Sequence, residues 1–260
     1  HVASPIGMEL PKNEDEMVKP AVEGTLRVLE AASKAGVKRV VITSSVAAIM
    51  YGTDKQGVFN EEDWTNPESK TTNVYAKSKT LAEKAAWDFI EKDASGMELS
   101  TVLPAMVFGP ILEEDFGVSV GAILDMMNGK YPIVPNWDMG VVDVRDVASL
   151  ELLAMTKPEA AGKRFVCSAE NMFMKDQNEY LSEIFPESAS KIPKRVAPNW
   201  LIKFLALFLP ALKMIAEGLG KERSMDSSRA RNLLGWNPRS AKEAVKSAAE
   251  SAKEFGLIED

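Results

Sequence analysis

The stretch at residues 37–45 reads V-K-R-V-V-I-T-S-S, and it decides the fold class. Val40, Val41 and Ile42 are consecutive β-branched residues. A continuous apolar run of this kind is typical of a strand buried on both faces, as in a parallel sheet. Two serines follow the run directly. The sequence therefore predicts a buried parallel strand with hydroxyl groups at its carboxyl end.

Helix and strand patterns alternate on both sides of this stretch. Before it, apolar residues recur at helical spacing over 18–29, and Gly36 is predicted to end that helix. After it, a loop over about 51–73 leads to a helix over about 75–92. The run at 99–110 then reads as another buried strand that ends in a turn. This alternation predicts an α/β fold, a Rossmann-like doubly wound parallel sheet.

The later part of the chain predicts a smaller, mostly helical lobe. A helix is expected near 118–128, and helices dominate after Asn171. Gly235 is predicted to end one helix, and the last helix covers about 240–255. The sheet-based domain is assigned 1–110 and 138–168, and the smaller lobe 111–137 and 169–260.

Composition and charge argue against several classes of function. The net charge of −7 and a pI near 5.1, with no basic stretch, make a nucleic-acid partner unexpected. Cys167 is the single cysteine, so no internal disulfide is possible and a cytoplasmic protein is expected. Its place in an apolar run predicts a packed residue. His1 is the single histidine, which argues against His-based triads and metal sites.

One segment is apolar enough to raise the question of a membrane. Residues 199–216 are rich in Leu, Phe and Ile, but Lys203, Pro210 and Lys213 interrupt them. The uninterrupted stretch is too short to span a bilayer. A buried or partly exposed helix of the second lobe is expected, with contact to a membrane surface or to a substrate-pocket mouth as the alternative. Residues 1–20 show no signal-peptide pattern.

The best candidate for chemistry is a tyrosine four places before a lysine. Residues 74–80 read V-Y-A-K-S-K-T, which puts Tyr75 and Lys79 on one face of a predicted helix. Tyr51 and Lys55 have the same spacing in a Gly- and Asp-rich segment that predicts a turn. The spacing alone therefore does not separate a catalytic pair from a solvated helix face.

Together with Ser45, this pair suits carbonyl reduction. Open α/β sheets bind ligands at the carboxyl ends of their strands, where Ser45 is predicted to lie. A nearby Lys79 ammonium would lower the pKa of Tyr75 from its ordinary value near 10, which favours a general acid. Side chains donate no hydride, so the chemistry requires a nicotinamide. The alternative is a solvated helix and a serine that caps a turn.

Several blocks of sequence resemble a known family. They are H-V-A-S-P-I (1–6), V-V-I-T-S-S-V-A-A (40–48), Y-A-K-S-K-T-L-A-E-K-A-A-W (75–87) and L-P-A-M-V-F-G-P (103–110). In this order they resemble the extended short-chain dehydrogenase/reductases of the NAD-dependent epimerase/dehydratase superfamily. Within that superfamily they are most similar to the branch of dihydroflavonol reductase, cinnamoyl-CoA reductase and aldehyde or ketone reductases. The resemblance covers nearly the whole chain.

The resemblance implies an NADPH-dependent oxidoreductase that reduces an aldehyde or ketone to the alcohol. Ser45, Tyr75 and Lys79 would be catalytic, with Tyr75 as proton donor and Lys79 also holding the nicotinamide ribose. The implied cofactor contacts are Val2, Ala3, Ser4, Thr43, Tyr75, Lys79, Pro104, Ala105, Met106, Val107 and Ser119. The cofactor would be NADP(H), with NAD(H) as the alternative, and no metal is implied.

The resemblance implies that the sheet-based domain is the Rossmann domain that binds NADP and that the smaller lobe binds the substrate. The implied substrate pocket includes Ser45, Met50 and Tyr75. Plant dihydroflavonol reductases carry a polar residue where this chain has Met50, so an aldehyde or ketone less polar than a flavonoid is expected. The implied partner is a small carbonyl compound, with no nucleic acid and no membrane. A monomer and a homodimer both fit the resemblance.

The chain differs from the family near its start. No G-x-G-x-x-G motif follows a first strand, and family members carry roughly 75–80 further residues there. An incomplete sequence that lacks the first strands and the glycine motif is therefore expected. Three alternatives stay open: a nucleotide-sugar epimerase or dehydratase, a hydroxysteroid-type dehydrogenase, and a non-catalytic truncated fragment. The apolar residues over 199–220 argue against a sugar nucleotide, whose diphosphate needs polar or positive groups.

Overall fold

The chain divides into two compact units in a computed structural model that describes residues 1–6, 11, 13–209, 212, 216 and 218–258. The first unit contains His1–Ala105, Val147–Cys167 and Met225–Asn237. The second unit contains Met106–Asp146, Ser168–Ser224 and Pro238–Asp260. Each unit is built around its own sheet.

Strands and helices alternate through most of the described chain. The strands are β1 (Arg39–Thr43), β2 (Gly57–Phe59), β3 (Glu98–Pro104), β4 (Met106–Phe108), β5 (Asp138–Asp143), β6 (Lys163–Cys167), β7 (Glu170–Phe173) and β8 (Arg223–Met225). The helices are α1 (Asp15–Lys34), α2 (Val74–Lys92), α3 (Val118–Met127), α4 (Val144–Thr156), α5 (Met174–Ile184), α6 (Asn199–Leu205), α7 (Ser228–Leu234) and α8 (Ala241–Glu254). Short 3₁₀ turns cover Val46–Ala48 and Pro158–Ala160.

The first unit is organised by a parallel sheet with strand order β1-β3-β6. Leu29 of α1 and Ala86 of α2 pack with Ile42 of β1 in one hydrophobic cluster, so both helices cover the same face. Successive side chains of a strand point to opposite faces. Thr43, next to Ile42, accordingly hydrogen-bonds Glu151 of α4 on the other face. Helices on both faces of a parallel sheet are the doubly wound arrangement, and the predicted fold class is confirmed.

The second unit has a mixed sheet and a separate core. Strand β4 pairs parallel with β5, and β5 pairs antiparallel with β7. Ile123 and Met127 of α3 pack with Val141 of β5 and Ala248 of α8, all fully buried. Ser240 caps α8, since its side chain accepts a hydrogen bond from the amide of Glu243. A sheet and helices therefore share this core, which was expected to be mostly helical.

The unit boundaries differ from the predicted domains at residue 168 and in three longer segments. Residues 106–110 and 138–146 lie in the second unit, because β4 and β5 pair with each other outside the parallel sheet. Residues 225–237 lie in the first unit, where Arg229 of α7 forms ion pairs with Glu61 and Glu62. The predicted assignment of cofactor and substrate to the two regions stays a prediction.

The apolar segment predicted as a lobe helix is helical over Asn199–Leu205, and most of 210–217 lies outside the described residues. Ile202 of this helix is buried, whereas Trp200 and Phe204 are exposed. Within the described parts of the chain, no helix has both the length and the apolar character required to cross a bilayer.

Candidate active site

The carboxyl end of β1 carries two buried serines with different roles. The amide of Ser44 donates to the carbonyl of Val102 at 2.7 Å, which extends the parallel ladder beyond Thr43. Ser45 then caps the turn Val46–Ala48, because its Oγ accepts a hydrogen bond from the amide of Ala47 at 3.1 Å. This bond uses the oxygen of Ser45 as an acceptor and leaves its hydroxyl hydrogen available to a neighbour.

Helix α2 brings the tyrosine and the lysine to this end of the strand. The side chain of Asn73 caps the helix by accepting a hydrogen bond from the amide of Ala76 at 2.8 Å. Small residues such as Ala76, Ala82 and Ala86 lie on the buried face, so the helix packs close to the sheet. Tyr75 is the second residue of the helix and lies in its first turn.

Tyr75 and Ser45 lie side by side. Burial raises the pKa of the Tyr75 phenol, and the hydrogen-bonding hydroxyl of Ser45 lowers it by a smaller amount. The net direction is upward, so the phenol is protonated at neutral pH. The structure thus presents a neutral O–H group next to a serine hydroxyl, which is the arrangement needed to hold and protonate a carbonyl oxygen.

Lys79 is a buried cation one turn further along α2. Its side chain is 8% exposed, and Nζ donates to the carbonyl of Thr43 at 3.1 Å. Burial lowers the pKa of Lys79 to about 8, while the charge of Glu83 acts in the opposite direction. Lys79 is therefore still mostly protonated at neutral pH but close to its titration point.

The expected effect of Lys79 on the pKa of Tyr75 is not seen. The Lys79 ammonium is directed to the carbonyl of Thr43, and burial instead dominates the pKa of Tyr75. Ser45, Tyr75 and Lys79 are nevertheless brought together in the first unit. Tyr51 and Lys55 share no helix, since residues 51–56 form bends and irregular chain. Their matching spacing is therefore without structural meaning.

The remaining predicted cofactor contacts fall in several places. The amide of Thr43 donates to the carbonyl of His1, which sets the segment with exposed Val2 and Ala3 and partly exposed Ser4 beside β1. Pro104 ends β3 and is buried, and the amide of Ala105 donates to the carbonyl of Cys167. Met106, Val107 and Ser119 belong to the second unit. Cofactor contact by all these residues stays a prediction.

Met50 lies in the hydrophobic core of the first unit. It is 7% exposed and packs in a cluster with Ile49, Phe59 and Leu103. The structure therefore shows a packing role for Met50, and its place in a substrate pocket stays a prediction. In the described chain, no group of three or more His, Cys, Asp or Glu side chains is arranged to hold a metal ion.

Glu83 is a residue of this region that sequence reasoning missed. It is 2% exposed and accepts hydrogen bonds from the side chains of Ser44, Thr101 and Arg164. Its position within the apolar face of α2 is the signal that could have revealed it, because a carboxylate on such a face requires partners.

A parallel α/β sheet with a serine, a tyrosine and a buried lysine near one strand end is the arrangement expected for a nicotinamide-dependent oxidoreductase, in which the cofactor carries the hydride. The profile of the NAD dependent epimerase/dehydratase family matches residues 8–168. The NADPH-dependent methylglyoxal reductase GRE2 of Saccharomyces cerevisiae is 32% identical over an alignment 275 residues long with gaps, which covers 98% of this chain and 76% of that protein. Cinnamoyl-CoA reductase 1 of Petunia hybrida is 37% identical over 191 residues, which are 72% of this chain and 55% of that protein.

A solved structure gives the same result. The crystal structure of yeast methylglyoxal/isovaleraldehyde reductase Gre2 complexed with NADPH matches with a TM-score of 0.80 at 31% identity. The match covers 99% of this chain and 77% of that chain. This chain therefore belongs to the NAD dependent epimerase/dehydratase family, and the predicted family is confirmed.

Proposed function

We propose that this protein is an NADPH-dependent reductase that converts an aldehyde or ketone to the alcohol. The observation that carries the proposal is the protonated phenol of Tyr75 beside the hydroxyl of Ser45 at the carboxyl end of β1. The related NADPH-dependent methylglyoxal reductase of yeast supports this reaction class and NADPH as the cofactor, and the petunia relative is by its name also a reductase.

The hydrogen-bond donors of Lys79 fit a nicotinamide cofactor. Among the hydrogen bonds of the described chain, the Lys79 ammonium makes one, to the carbonyl of Thr43, although an ammonium has three N–H donors. Buried donors that face a strand end suit the hydroxyl groups of a ribose. When bound, the nicotinamide supplies the hydride.

The chain's own residues supply positioning and the proton. Ser45 donates a hydrogen bond to the substrate carbonyl oxygen and holds it next to Tyr75. The Tyr75 phenol donates its proton to that oxygen as negative charge develops there. Lys79, whose pKa is about 8, would hold the ribose with a charged donor at pH values below that.

Substrate, compartment and assembly belong to the same proposal. A small aldehyde or ketone is the proposed substrate, and the single Cys167 fits work in the reducing cytoplasm. The proposed assembly is a monomer or a homodimer.

Replacing Tyr75 by Phe tests the proposal on the natural full-length gene product. Turnover of methylglyoxal is expected to fall by roughly 10²–10⁴-fold, because general acid catalysis contributes that much, while NADPH affinity is kept. Oxidation of NADPH followed by absorbance measures turnover, and fluorescence titration measures binding.

Tyr51→Phe is the matched control, since Tyr51 has the same spacing to a lysine outside any helix. It is expected to leave turnover unchanged. Full activity in Tyr75→Phe would refute the reductase mechanism. Tight binding of a UDP-sugar in competition with the carbonyl substrate would favour a nucleotide-sugar epimerase instead.

A further inference from the structure

Glu83 connects helix α2 to every strand of the parallel sheet. Its carboxylate accepts hydrogen bonds from Ser44 Oγ at 2.5 Å, Thr101 Oγ1 at 2.8 Å and Arg164 Nε at 2.7 Å. Ser44 directly follows β1, Thr101 lies in β3 and Arg164 lies in β6. One carboxylate thus joins the helix to three strands.

The register of the sheet explains why these donors converge. Thr101 is the Cα partner of both Ile42 and Arg164 in the parallel ladders. Paired residues of adjacent strands point to the same face, and Ser44 stands two residues beyond Ile42, so it points to that face as well. All three side chains therefore face α2.

Arg164, which forms the ion pair with Glu83, is also buried and hydrogen-bonded. Arg164 is 7% exposed, and its Nη1 donates to the carbonyls of Glu61 at 2.6 Å and Asp63 at 2.9 Å. The guanidinium carbon lies 3.6 Å from the ring centroid of Trp64. A buried ion pair is stable only when its remaining donors are satisfied in this way.

The network connects the two elements that carry the proposed chemistry. Glu83 lies one turn after Lys79 and about two turns after Tyr75 on α2. Ser44, which donates to Glu83, is the neighbour of Ser45. The bond between Ser44 and Glu83 therefore spans the gap between the serine strand and the tyrosine helix.

We propose that Glu83 is a positioning residue that fixes Tyr75 and Lys79 relative to Ser45 through its hydrogen bond with Ser44. The proposal rests on the proposed function of the site. It predicts that breaking the Ser44–Glu83 bond lowers the rate of the chemical step more than it weakens cofactor binding, because small errors in the position of reacting groups slow catalysis strongly.

Two single-hydroxyl deletions separate positioning from simple stabilisation. Ser44→Ala removes the donor next to Ser45, and Thr101→Val removes a donor to the same carboxylate from the middle of β3. In the natural full-length gene product, Ser44→Ala is expected to lower kcat by roughly tenfold or more. KM for NADPH should change by less than about twofold, and Thr101→Val should leave kcat within about twofold of wild type.

Thermal unfolding of both variants checks that the folded state persists. The proposal would be overturned if both variants lost a similar amount of Tm and Ser44→Ala kept its kcat. It would also be overturned if kcat fell equally in both variants. Glu83→Asp, which keeps the charge but shortens its reach, is the second test and is expected to lower kcat as Ser44→Ala does. An unchanged kcat in Glu83→Asp would also overturn it.

The wild type distinguishes this inference from the proposed function. If wild type reduces methylglyoxal with NADPH and Ser44→Ala matches it, only the positioning role of Glu83 fails. If wild type reduces no carbonyl compound with NADPH, the proposed function fails and takes this inference with it.

Discussion

Burial of Lys79 disfavours the positive charge that its proposed function requires. Its ammonium is held in a site where water is largely excluded, and its pKa falls to about 8 as a result. Glu83 opposes this fall by its negative charge, and Thr43 supplies one acceptor. The protein thus keeps a cation at the strand end at some expense in stability.

The pH dependence of activity should report this cation. Because Lys79 loses its proton as the pH rises through about 8, kcat/KM for NADPH is expected to fall above that pH. In Lys79→Arg the guanidinium stays charged, so the falling limb should move to higher pH. A pH–rate profile measures both, and a limb that stays near pH 8 in Lys79→Arg would assign it to another group.

Removing the cation should stabilise the fold at neutral pH. The pKa of Lys79 is lower in the folded state than in the unfolded state, so the unfolded chain binds more protons between these two pKa values. Burial of the charged lysine therefore lowers the free energy of unfolding by its full amount below about pH 8, and this loss disappears towards pH 10.5. A fall from 10.5 to about 8 corresponds to roughly 3 kcal/mol. Lys79→Met is therefore expected to raise the free energy of unfolding by about 1–3 kcal/mol at pH 7 while turnover is lost.

Urea unfolding at pH 7 and at pH 10 measures this gain, which should shrink at the higher pH. Lys77→Met on the same helix is the control, because Lys77 forms an ion pair with Glu14 and its pKa is raised. It should bring no gain. Equal stability of Lys79→Met and wild type at pH 7 would contradict the assigned cost of burial.

At the scale of the element, the first turn of α2 matters because it carries Tyr75. Asn73→Ala removes the side-chain cap, which is expected to cost about 1 kcal/mol and to let this turn fray. Activity should therefore fall together with stability. Kinetics and urea unfolding on the same preparations provide the measurement.

Ser240→Ala is the matched control, since Ser240 caps α8 in the second unit by the same type of bond. It is expected to cost a similar amount of stability without a comparable loss of kcat. A loss of kcat that is the same in both variants would show that capping acts on activity only through overall stability.

The helices and long strands were predictable because their signals are local. The predicted helix over 75–92 is observed as Val74–Lys92, and the last predicted helix as Ala241–Glu254. The strands Gly57–Phe59 and Glu170–Phe173 were missed, because strands of three or four residues leave no clear periodicity.

The candidate site was predictable for a different reason. Ser45 follows a strand and Tyr75 begins a helix that carries Lys79, and local patterns predict both elements; the catalytic roles of the three residues stay a prediction. The network of Glu83 was not predictable, because its donors are scattered over more than 100 residues of sequence and depend on strand register. Burial of Tyr75, which reverses the expected direction of its pKa, is likewise a property of tertiary packing.

At the scale of the whole molecule, the division into units follows from sheet membership. Strand β3 ends at Pro104 in the parallel sheet, and β4 begins at Met106 in the other sheet. A single residue, Ala105, separates the two. The sequence over 99–110 reads as one continuous strand, so the change of sheet within it is visible only in three dimensions.

Cofactor binding should stabilise the natural full-length gene product as a whole. NADPH at about 100 times its Kd adds roughly 2.7 kcal/mol, which corresponds to a rise in Tm of roughly 5–10 °C for a protein of this size. Tyr75→Phe should show the same rise, because its hydroxyl is proposed to act on the substrate. Differential scanning fluorimetry measures it, and no shift in wild type would argue against NADPH as the cofactor.

The stacking of Trp64 on Arg164 gives the molecule an optical reporter of its own. Trp64 is one of five tryptophans, and its ring lies 3.6 Å from the guanidinium that pairs with Glu83. Indole emission responds to an adjacent positive charge, so any shift of Arg164 should change its intensity. The difference between wild type and Trp64→Phe would isolate that signal. The ion pair beneath the proposed active site could then be followed by light during turnover, without an attached dye.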